Sequence, residues 1–230
     1  MSNKTGVMLL SGGMDSATLL WWLLKHGHTV HCLSVDYGQR HDKELGAAES
    51  VYEAAHKRFS GRIGACRQLD LSISGVDLLL KGSSQSDNSI TVPYGAYDDE
   101  VMKTTVVPNR NMMMLSFAIA WAISKKMDHV WYGAHSGDHA IYPDCRPEFV
   151  QALALATELA DWHQPKLTAP FITMDKGDIA LLGRSLGVPY GKTWTCYEGK
   201  EDPCGKCGAC VERAEAFAFA DFPDPLLAEV

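Results

Sequence analysis

The sequence predicts an α/β fold, an open parallel sheet with helices on both faces, followed by a small cysteine-rich segment that binds zinc. Two observations lead to this prediction. Apolar runs of strand length alternate with stretches of helical period, and four of the seven cysteines lie between positions 196 and 210. We therefore divide the 230 residues into an α/β domain over 1–189 and a cysteine-rich segment over 190–230.

The predicted strands and helices alternate along the first domain. The first helix carries Leu19, Leu20, Leu23 and Leu24 on one face, which is the spacing of a helix laid on a sheet. The last helix ends before Gly187, since glycine favours the left-handed conformation that often follows a helix. The predicted strands are 7–10, 30–35, 65–71 and 130–134, and the predicted helices are 16–25, 43–59, 112–126, 147–161 and 177–186.

A long interruption separates two of these helices. Between positions 72 and 107 the alternation of strand and helix patterns stops, and the segment is rich in Gly, Ser, Asp, Asn and Pro. Because loops of this length inside a compact domain are usually functional, we expect a lid or a segment that covers the substrate.

Charge and hydropathy exclude two classes of partner. The formal net charge is 21 − 28 = −7, so the chain lacks the positive field that nonspecific binding to nucleic acid requires. No stretch approaches the ~18 apolar residues of a membrane span, and the amino terminus is too weakly apolar for a secretory signal. We expect a cytoplasmic protein with reduced thiols and no membrane partner.

The segment SGGMDS, residues 11–16, follows the first predicted strand and precedes the first helix. Gly12 and Gly13 allow the backbone to approach phosphate oxygens closely, and the helix amino terminus adds partial positive charge. Ser11 and Ser16 can donate from their hydroxyls, while Asp15 can order the turn or hold Mg²⁺. The P-loop motif GxxxxGK[ST] is absent from the sequence. The alternative is an ordinary strand-to-helix turn.

The cysteine spacing predicts a structural metal site. Cys196 is followed by Cys204, Cys207 and Cys210, the last three at intervals of three residues. Four thiolates suit tetrahedral Zn²⁺ and leave no open position for water. An iron–sulfur cluster is the rival interpretation, although the proline that usually follows its fourth cysteine is missing after Cys210.

Ligands of open parallel sheets bind beyond the carboxyl ends of the strands. Polar groups are dense in the segments that follow the predicted strands, so a substrate site is expected where these segments meet. They are SGGMDS (11–16), DYGQRH (36–41), VPNRN (107–111) and GAHSGDHAIYPDCRPEF (133–149).

Within these segments we select five substrate-binding candidates. Arg146 can clamp a carboxylate or phosphate through two parallel hydrogen bonds. Asp144 or Glu148 can accept from paired N–H groups such as the edge of a guanine, although an acid in a first helical turn, like Glu148, is favoured anyway. The complete set is Arg110, Asp138, Asp144, Arg146 and Glu148.

SGGMDS resembles the signature of the PP-loop ATP pyrophosphatases, which have a Rossmann-like fold and grip the pyrophosphate of ATP. Together with DYGQRH, VPNRN, YPDCRPEF and the late cysteines, it makes nearly the whole chain similar to the 7-cyano-7-deazaguanine synthase family of queuosine biosynthesis. The resemblance implies ATP with Mg²⁺ as substrate and one structural Zn²⁺ per chain. It also implies nucleotide contacts at Leu10, Ser11, Gly12, Gly13, Met14, Asp15, Ser16, Ala17, Thr18, Leu19 and Leu20.

The resemblance further implies an ATP-dependent carbon–nitrogen ligase. ATP adenylates the carboxylate of 7-carboxy-7-deazaguanine, ammonia from solution displaces AMP to give an amide, and a second ATP activates the amide oxygen so that its loss gives the nitrile. We assign the catalytic roles to Ser11, Asp15, Ser16 and Arg146.

Two other functions remain to be weighed. A PP-loop enzyme that thiolates tRNA would need a basic surface, and the net charge of −7 counts against it. A zinc-ribbon module with a vestigial nucleotide fold would bind nucleic acid or protein without catalysis. A steep salt dependence of RNA binding would favour either, whereas ammonia-dependent ATP turnover would favour the synthase. The sequence leaves a monomer and a homodimer open.

Overall fold

The computed structural model describes residues 3–95 and 99–227. The described residues form a five-stranded sheet in the order β3-β2-β1-β4-β5, in which every neighbouring pair is parallel. The chain moves outward from β1 in both directions, so the sheet reverses its direction of winding between β1 and β4. The strands are β1 (Thr5–Leu9), β2 (Thr29–Asp36), β3 (Ile63–Asp70), β4 (His129–Trp131) and β5 (Lys166–Thr168).

The predicted α/β class is confirmed, and all five predicted helices form within a few residues of their expected ends. The structure adds the strand β5 and the helix α8, which the sequence analysis did not predict. The helices are α1 (Met14–Lys25), α2 (Lys43–Arg58), α3 (Val76–Leu79), α4 (Asp99–Met102), α5 (Arg110–Ser124), α6 (Pro147–Ala160), α7 (Lys176–Leu186) and α8 (Gly208–Phe219).

Two apolar clusters cover the two faces of the sheet. Successive strand residues point to opposite faces, so Val7 and Met8 of β1 belong to different clusters. Met8 packs with residues of α1, α2, α7 and α8, whereas Val7 packs with residues of α5 and α6. Both faces are therefore buried, as expected for a parallel sheet.

The carboxyl-terminal part of the chain is fixed to this core. Phe217 of α8 is buried in the cluster of α1 and α7. Arg213 is almost completely buried, and its guanidinium donates to both carboxylate oxygens of Asp224, at 2.6 and 2.8 Å, and to the Tyr190 carbonyl oxygen at 3.1 Å. A domain boundary at residue 190 stays a prediction, and the packing of Phe217 with α1 and α7 crosses it.

The interrupted segment between β3 and α5 contains only short helical turns among its described residues. Arg40 holds part of it, because its guanidinium donates to the carbonyl oxygens of Asp87 at 3.2 Å and Ile90 at 3.0 Å. Residues 96–98 lie outside the described part, and the proposed lid stays a prediction. A search of the described helices for one long and apolar enough to span a bilayer finds none.

Candidate active site

The segment SGGMDS forms the turn that joins β1 to α1. Gly13 caps α1 in an extended conformation with φ −73° and ψ 165°. The Ser11 Oγ accepts from the Gly13 N–H at 3.2 Å, Ser16 Oγ donates to the Gly13 carbonyl oxygen at 3.1 Å, and the two hydroxyls lie 3.1 Å apart. The turn therefore sets its own shape and presents the first N–H groups of α1, which have no partner within the helix. An anion binds readily at such a place.

Gly12 is required by the way α2 packs against this turn. Its φ is +89°, in the left-handed region that favours glycine. A Cβ at this position would lie 2.2 Å from the carbonyl oxygen of Glu44 and 2.7 Å from the amide nitrogen of Ala48. The amino-terminal end of α2 is thus in close contact with the turn.

A cluster of charges lies against the turn. Lys176, the first residue of α7, places its Nζ 3.5 Å from the carboxylate of Asp15 and 2.6 Å from that of Glu212. His135, which is buried, has its Nε2 3.7 Å from Asp15 and 3.4 Å from Asp138. Two cations and three carboxylates from four parts of the chain therefore meet beside the turn.

The protonation states of this cluster follow from its geometry. Burial alone would raise the pKa of Asp15, but Lys176 and His135 outweigh burial and hold that pKa well below its usual range. Burial lowers the pKa of His135, yet Asp138 and Asp15 raise it to about 9. At neutral pH Asp15 is an anion and His135 is a cation. Asp15 is therefore a charged carboxylate in the first turn of α1.

A pocket at the carboxyl edge of the sheet is lined by Asp15, Asp138 and Lys176 of this cluster. Part of the predicted nucleotide stretch faces it, whereas Ala17, Leu19 and Leu20 are buried in the core and Thr18 bonds to Met14 and Tyr190. Gly12 does not line the pocket and instead contacts α2. The members of the stretch that line the pocket are Leu10, Ser11, Gly13, Met14, Asp15 and Ser16.

Of the predicted substrate residues, Arg110 and Asp138 line this pocket. Arg110 begins α5 after Asn109, which has a left-handed φ of 56°. Its NH1 donates to Gln85 Oε1 at 3.4 Å. Burial would lower the pKa of Arg110, but Tyr37 and Asp144 outweigh that effect and raise it. The pocket thus contains a half-buried arginine cation as well as the turn 11–16.

Three other predicted substrate residues are not among those that line the pocket. Asp144 accepts from the backbone N–H of Asn111 at 3.1 Å and so fixes the start of α5. Arg146 is exposed, and its Nε donates to the carbonyl oxygen of His139 at 2.6 Å. Glu148 is exposed in the first turn of α6. The structure brings Arg110, rather than Arg146, to the pocket.

The four late cysteines form a compact sulfur cluster. Their Sγ atoms all lie within 4.8 Å of one another, and those of Cys204 and Cys210 are 3.9 Å apart. A tetrahedron with metal–sulfur bonds of about 2.3 Å has edges of about 3.8 Å. The backbone N–H of Cys207 also donates to the Cys204 sulfur at 3.2 Å. The cluster has the donors and spacing to hold a metal ion.

The segment that leads into this cysteine cluster is hydrogen-bonded to the turn 11–16. The backbone N–H of Trp194 donates to the carbonyl oxygen of Gly12 at 3.0 Å, and Trp194, Thr195 and Tyr197 line the pocket. On the other side, Cys207 forms an antiparallel bridge with Tyr94 of the interrupted segment. The cysteine-rich segment therefore forms one wall of the pocket.

Several groups of the site were not predicted from the sequence. His135 and Glu212, which lie beside the pocket-lining Lys176 and Asp138, are 77 positions apart and carry no shared motif, so only the fold shows that they meet. His41 and Glu44, with the His41 Nε2 3.3 Å from the Glu44 carboxylate, line the pocket itself. His41 is the last residue of the motif DYGQRH. Its position just after β2 was the one sequence feature that could have indicated its place in the site.

Comparisons with known proteins find similarity over nearly the whole chain. A family model described as queuosine biosynthesis protein QueC matches residues 5–221. The 7-cyano-7-deazaguanine synthase of Hahella chejuensis is 50% identical over 97% of this chain and 92% of its own length. That of Pseudoalteromonas translucida is 47% identical over 96% of both chains.

One solved structure supports the fold alone. It is a 4-thiouridine synthetase–RNA complex with bound ATP, at a TM-score of 0.52 and 15% identity. The match covers 95% of this chain and 52% of that one.

Proposed function

The chain belongs to the QueC family of queuosine biosynthesis proteins, and on that premise we propose that it converts 7-carboxy-7-deazaguanine, ammonia and ATP into 7-cyano-7-deazaguanine. The observation that carries the proposal is the turn 11–16, which opens into a pocket shared with the half-buried Arg110. The pocket can hold a triphosphate at one end and an acid at the other. The chain is then an ATP-dependent carbon–nitrogen ligase.

The turn would bind the β- and γ-phosphates of ATP through the amides at the start of α1 and the hydroxyls of Ser11 and Ser16. An oxygen of the substrate carboxylate attacks the α-phosphorus, the bond to the bridging oxygen breaks, and pyrophosphate leaves. Lys176, which lines the pocket, neutralises charge that develops on the phosphates. The catalytic assignment of Ser11, Asp15 and Ser16 rests on this geometry.

Magnesium fits beside the turn. Oδ1 of Asp15 is buried and has no hydrogen-bond partner among the described residues, and Asp138 lines the same pocket. Carboxylates together with phosphate oxygens are the ligands that Mg²⁺ prefers. When bound, Mg²⁺ would neutralise phosphate charge, with Asp15 and Asp138 as its protein ligands.

Arg110 is the residue that we propose to bind the substrate carboxylate. It lines the pocket, is half-buried and carries a permanent charge, and an arginine can bind a carboxylate through two hydrogen bonds. The clamp predicted for Arg146 is transferred to Arg110, because the Arg146 guanidinium is engaged at the surface with the carbonyl oxygens of His139 and Ala140.

Zinc is the metal that we propose for Cys196, Cys204, Cys207 and Cys210. Four thiolates in a closed tetrahedral set leave no position for water, so the ion would stabilise structure rather than take part in the chemistry. We further propose that ammonia is taken from solution and that the reaction takes place in the cytoplasm, on free small molecules rather than on nucleic acid.

The test is to identify the products by mass. The protein is incubated with ATP, Mg²⁺, ammonium and 7-carboxy-7-deazaguanine, and the heterocycle and nucleotides are weighed. The proposal expects the nitrile, with two AMP and two pyrophosphate for each molecule formed. Formation of ADP and phosphate, or an unchanged acid with RNA binding that weakens steeply with salt, would contradict it.

A further inference from the structure

The proposed reaction, on which this inference rests, needs a base as well as a nucleotide site. Ammonium, the main form of ammonia at neutral pH, carries no lone pair and must lose a proton before it can attack. Conversion of the amide to the nitrile removes two further protons from the same nitrogen. None of the groups assigned above to ATP or to the carboxylate can accept them.

Two buried histidines lie near the pocket, and only one of them lines it. The Nε2 of His135 lies 3.7 Å from Asp15 and 3.4 Å from Asp138, and His135 is not among the residues that line the pocket. His41 is 1% exposed and lines the pocket. A single carboxylate, that of Glu44, lies 3.3 Å from its Nε2.

The two ring nitrogens of His41 have different surroundings. Nε2 faces Glu44, whereas Nδ1 is buried and has no hydrogen-bond partner among the described residues. A buried nitrogen without a partner is unfavourable unless a ligand satisfies it. A carboxylate that accepts from one nitrogen leaves the other as the acceptor. Glu44 therefore selects the tautomer in which Nδ1 is basic.

The fold also places this pair beside the turn 11–16. A Cβ added to Gly12 would lie only 2.2 Å from the Glu44 carbonyl oxygen, so the main chain of α2 is in contact with the turn 11–16. The Glu44 N–H donates to the His41 carbonyl oxygen at 3.1 Å, and the ring of Tyr197 lies 5.7 Å from that of His41. His41 is thus held between the turn and the cysteine-rich wall of the pocket.

We propose that His41, oriented by Glu44, is the catalytic base that removes protons from nitrogen in both halves of the reaction. In the first half ammonium gives a proton to His41, the ammonia so formed makes a C–N bond at the adenylated carbon, the nitrogen loses a second proton to His41, and the C–O bond to AMP breaks. In the second half the amide oxygen displaces pyrophosphate from ATP. Loss of the two nitrogen protons and of AMP then leaves the C≡N bond. His41 returns each proton to solvent, and Glu44 is a positioning residue.

The test separates adenylation from proton removal. The amide 7-amido-7-deazaguanine is supplied with ATP and Mg²⁺ but without ammonium, and pyrophosphate and nitrile are measured in a single turnover. We expect His41→Gln to release pyrophosphate within a few-fold of the wild-type rate but to form nitrile about 10²- to 10⁴-fold more slowly. Added imidazole should partly restore nitrile formation in His41→Ala.

Two further variants sharpen the result. Glu44→Gln should slow nitrile formation by about 10- to 100-fold, as expected when the partner of a working histidine is lost. His56→Gln, at an exposed histidine of α2, should behave as the wild type.

Each other outcome is informative. If His41→Gln forms nitrile from the amide at the normal rate but fails only with ammonia, His41 binds ammonia and the proposal is overturned. If pyrophosphate release falls as far as nitrile formation, with no rescue by imidazole, the role of His41 is structural. A wild-type protein that makes no nitrile from acid or amide would instead sink the proposed function itself.

Discussion

Asp15 is the central charged residue of the site, because two cations lie close to its carboxylate. The Nζ of Lys176 lies 3.5 Å from its carboxylate and the Nε2 of His135 lies 3.7 Å away. A carboxylate fixed at the amino terminus of a helix beside a phosphate site would repel the ligand if it were alone. The two cations offset its charge and allow it to serve as a metal ligand.

The raised pKa of His135 predicts a pH-dependent stability. The pKa is 6.5 in the unfolded chain and about 9 in the folded protein, so the folded state holds more protons between these values. The contribution of His135 is then complete below pH 6.5 and is lost as the pH rises through about 9. Relative to His135→Gln, the wild type should lose up to about 3 kcal/mol over this window.

Urea unfolding of both proteins at pH 6, 7.5 and 9 measures this difference. The exposed His56→Gln variant serves as the control, and its difference from the wild type should stay constant. An advantage of the wild type over His135→Gln that grows with pH would show that His135 is neutral in the folded state.

Arg110 and Arg146 make a matched pair of arginines, one half-buried at the pocket and one exposed at the surface. We expect Arg110→Lys to raise KM for the acid by about 10- to 100-fold, because a point charge cannot replace a two-pronged grip. Arg146→Lys should change KM by less than about twofold. Steady-state kinetics with the acid as the varied substrate decide between them. The reverse pattern would return the clamp to Arg146.

At the scale of the element, the hydrophobic pattern of the sequence was enough to predict a long helix. Helix α2 is 16 residues long and was predicted to within one residue of each end. The strand β5 has three residues, Lys166–Thr168, which is too short for any periodicity to appear. The helix α8 begins among cysteines and glycines, whose spacing indicated metal binding and concealed the helical pattern that follows. Both elements form because the rest of the sheet and core supplies their contacts.

Gly12 and Gly13 are adjacent, but we expect substitution by alanine to change the stability of the protein at Gly12 and not at Gly13. Gly12→Ala should cost more than about 2 kcal/mol, because the left-handed φ of +89° is strained for alanine and the new Cβ would overlap the Glu44 carbonyl oxygen. Gly13 has an ordinary φ of −73°, and its nearest neighbour would be Ser11 Oγ at 3.4 Å. Gly13→Ala should therefore fold with nearly wild-type stability.

Thermal unfolding and equilibrium binding of ATP test this pair of variants. Gly12→Ala should lose ATP binding together with stability, because the turn and α2 must move apart. Equal stability of the two variants would mean that α2 does not pack on the turn as described.

At the scale of the whole molecule, the site is a meeting of distant segments. The motifs SGGMDS and the late cysteines were recognisable because their residues are close in sequence. The contact between Trp194 and Gly12, and the cluster of His135 with Glu212, join positions far apart, and no local pattern encodes them. Prediction from sequence therefore identified the parts of the pocket but not how they support one another.

The cysteine-rich wall predicts that metal and nucleotide binding are linked. Cys207→Ala should lower metal content and Tm together, since a structural metal contributes several kcal/mol to folding. It should also weaken ATP binding, because residues 194–197 would no longer be held against the turn. Cys66→Ala, a half-buried cysteine of β3, is the control and should keep its metal.

Metal analysis, calorimetry and equilibrium dialysis with ATP provide the three readouts for Cys207→Ala. A variant that lacks metal but binds ATP with wild-type affinity would show that the cysteine segment does not support the pocket. Stoichiometric iron with acid-labile sulfide in the purified wild-type protein would replace zinc by an iron–sulfur cluster.

Transfer of oxygen tests the central claim most directly, because adenylation moves each carboxylate oxygen of the substrate onto a phosphate. With both carboxylate oxygens labelled with ¹⁸O, every AMP released during nitrile formation should carry one ¹⁸O, and pyrophosphate should carry none. Label in pyrophosphate or inorganic phosphate, or AMP without label, would contradict activation of the acid at the α-phosphorus.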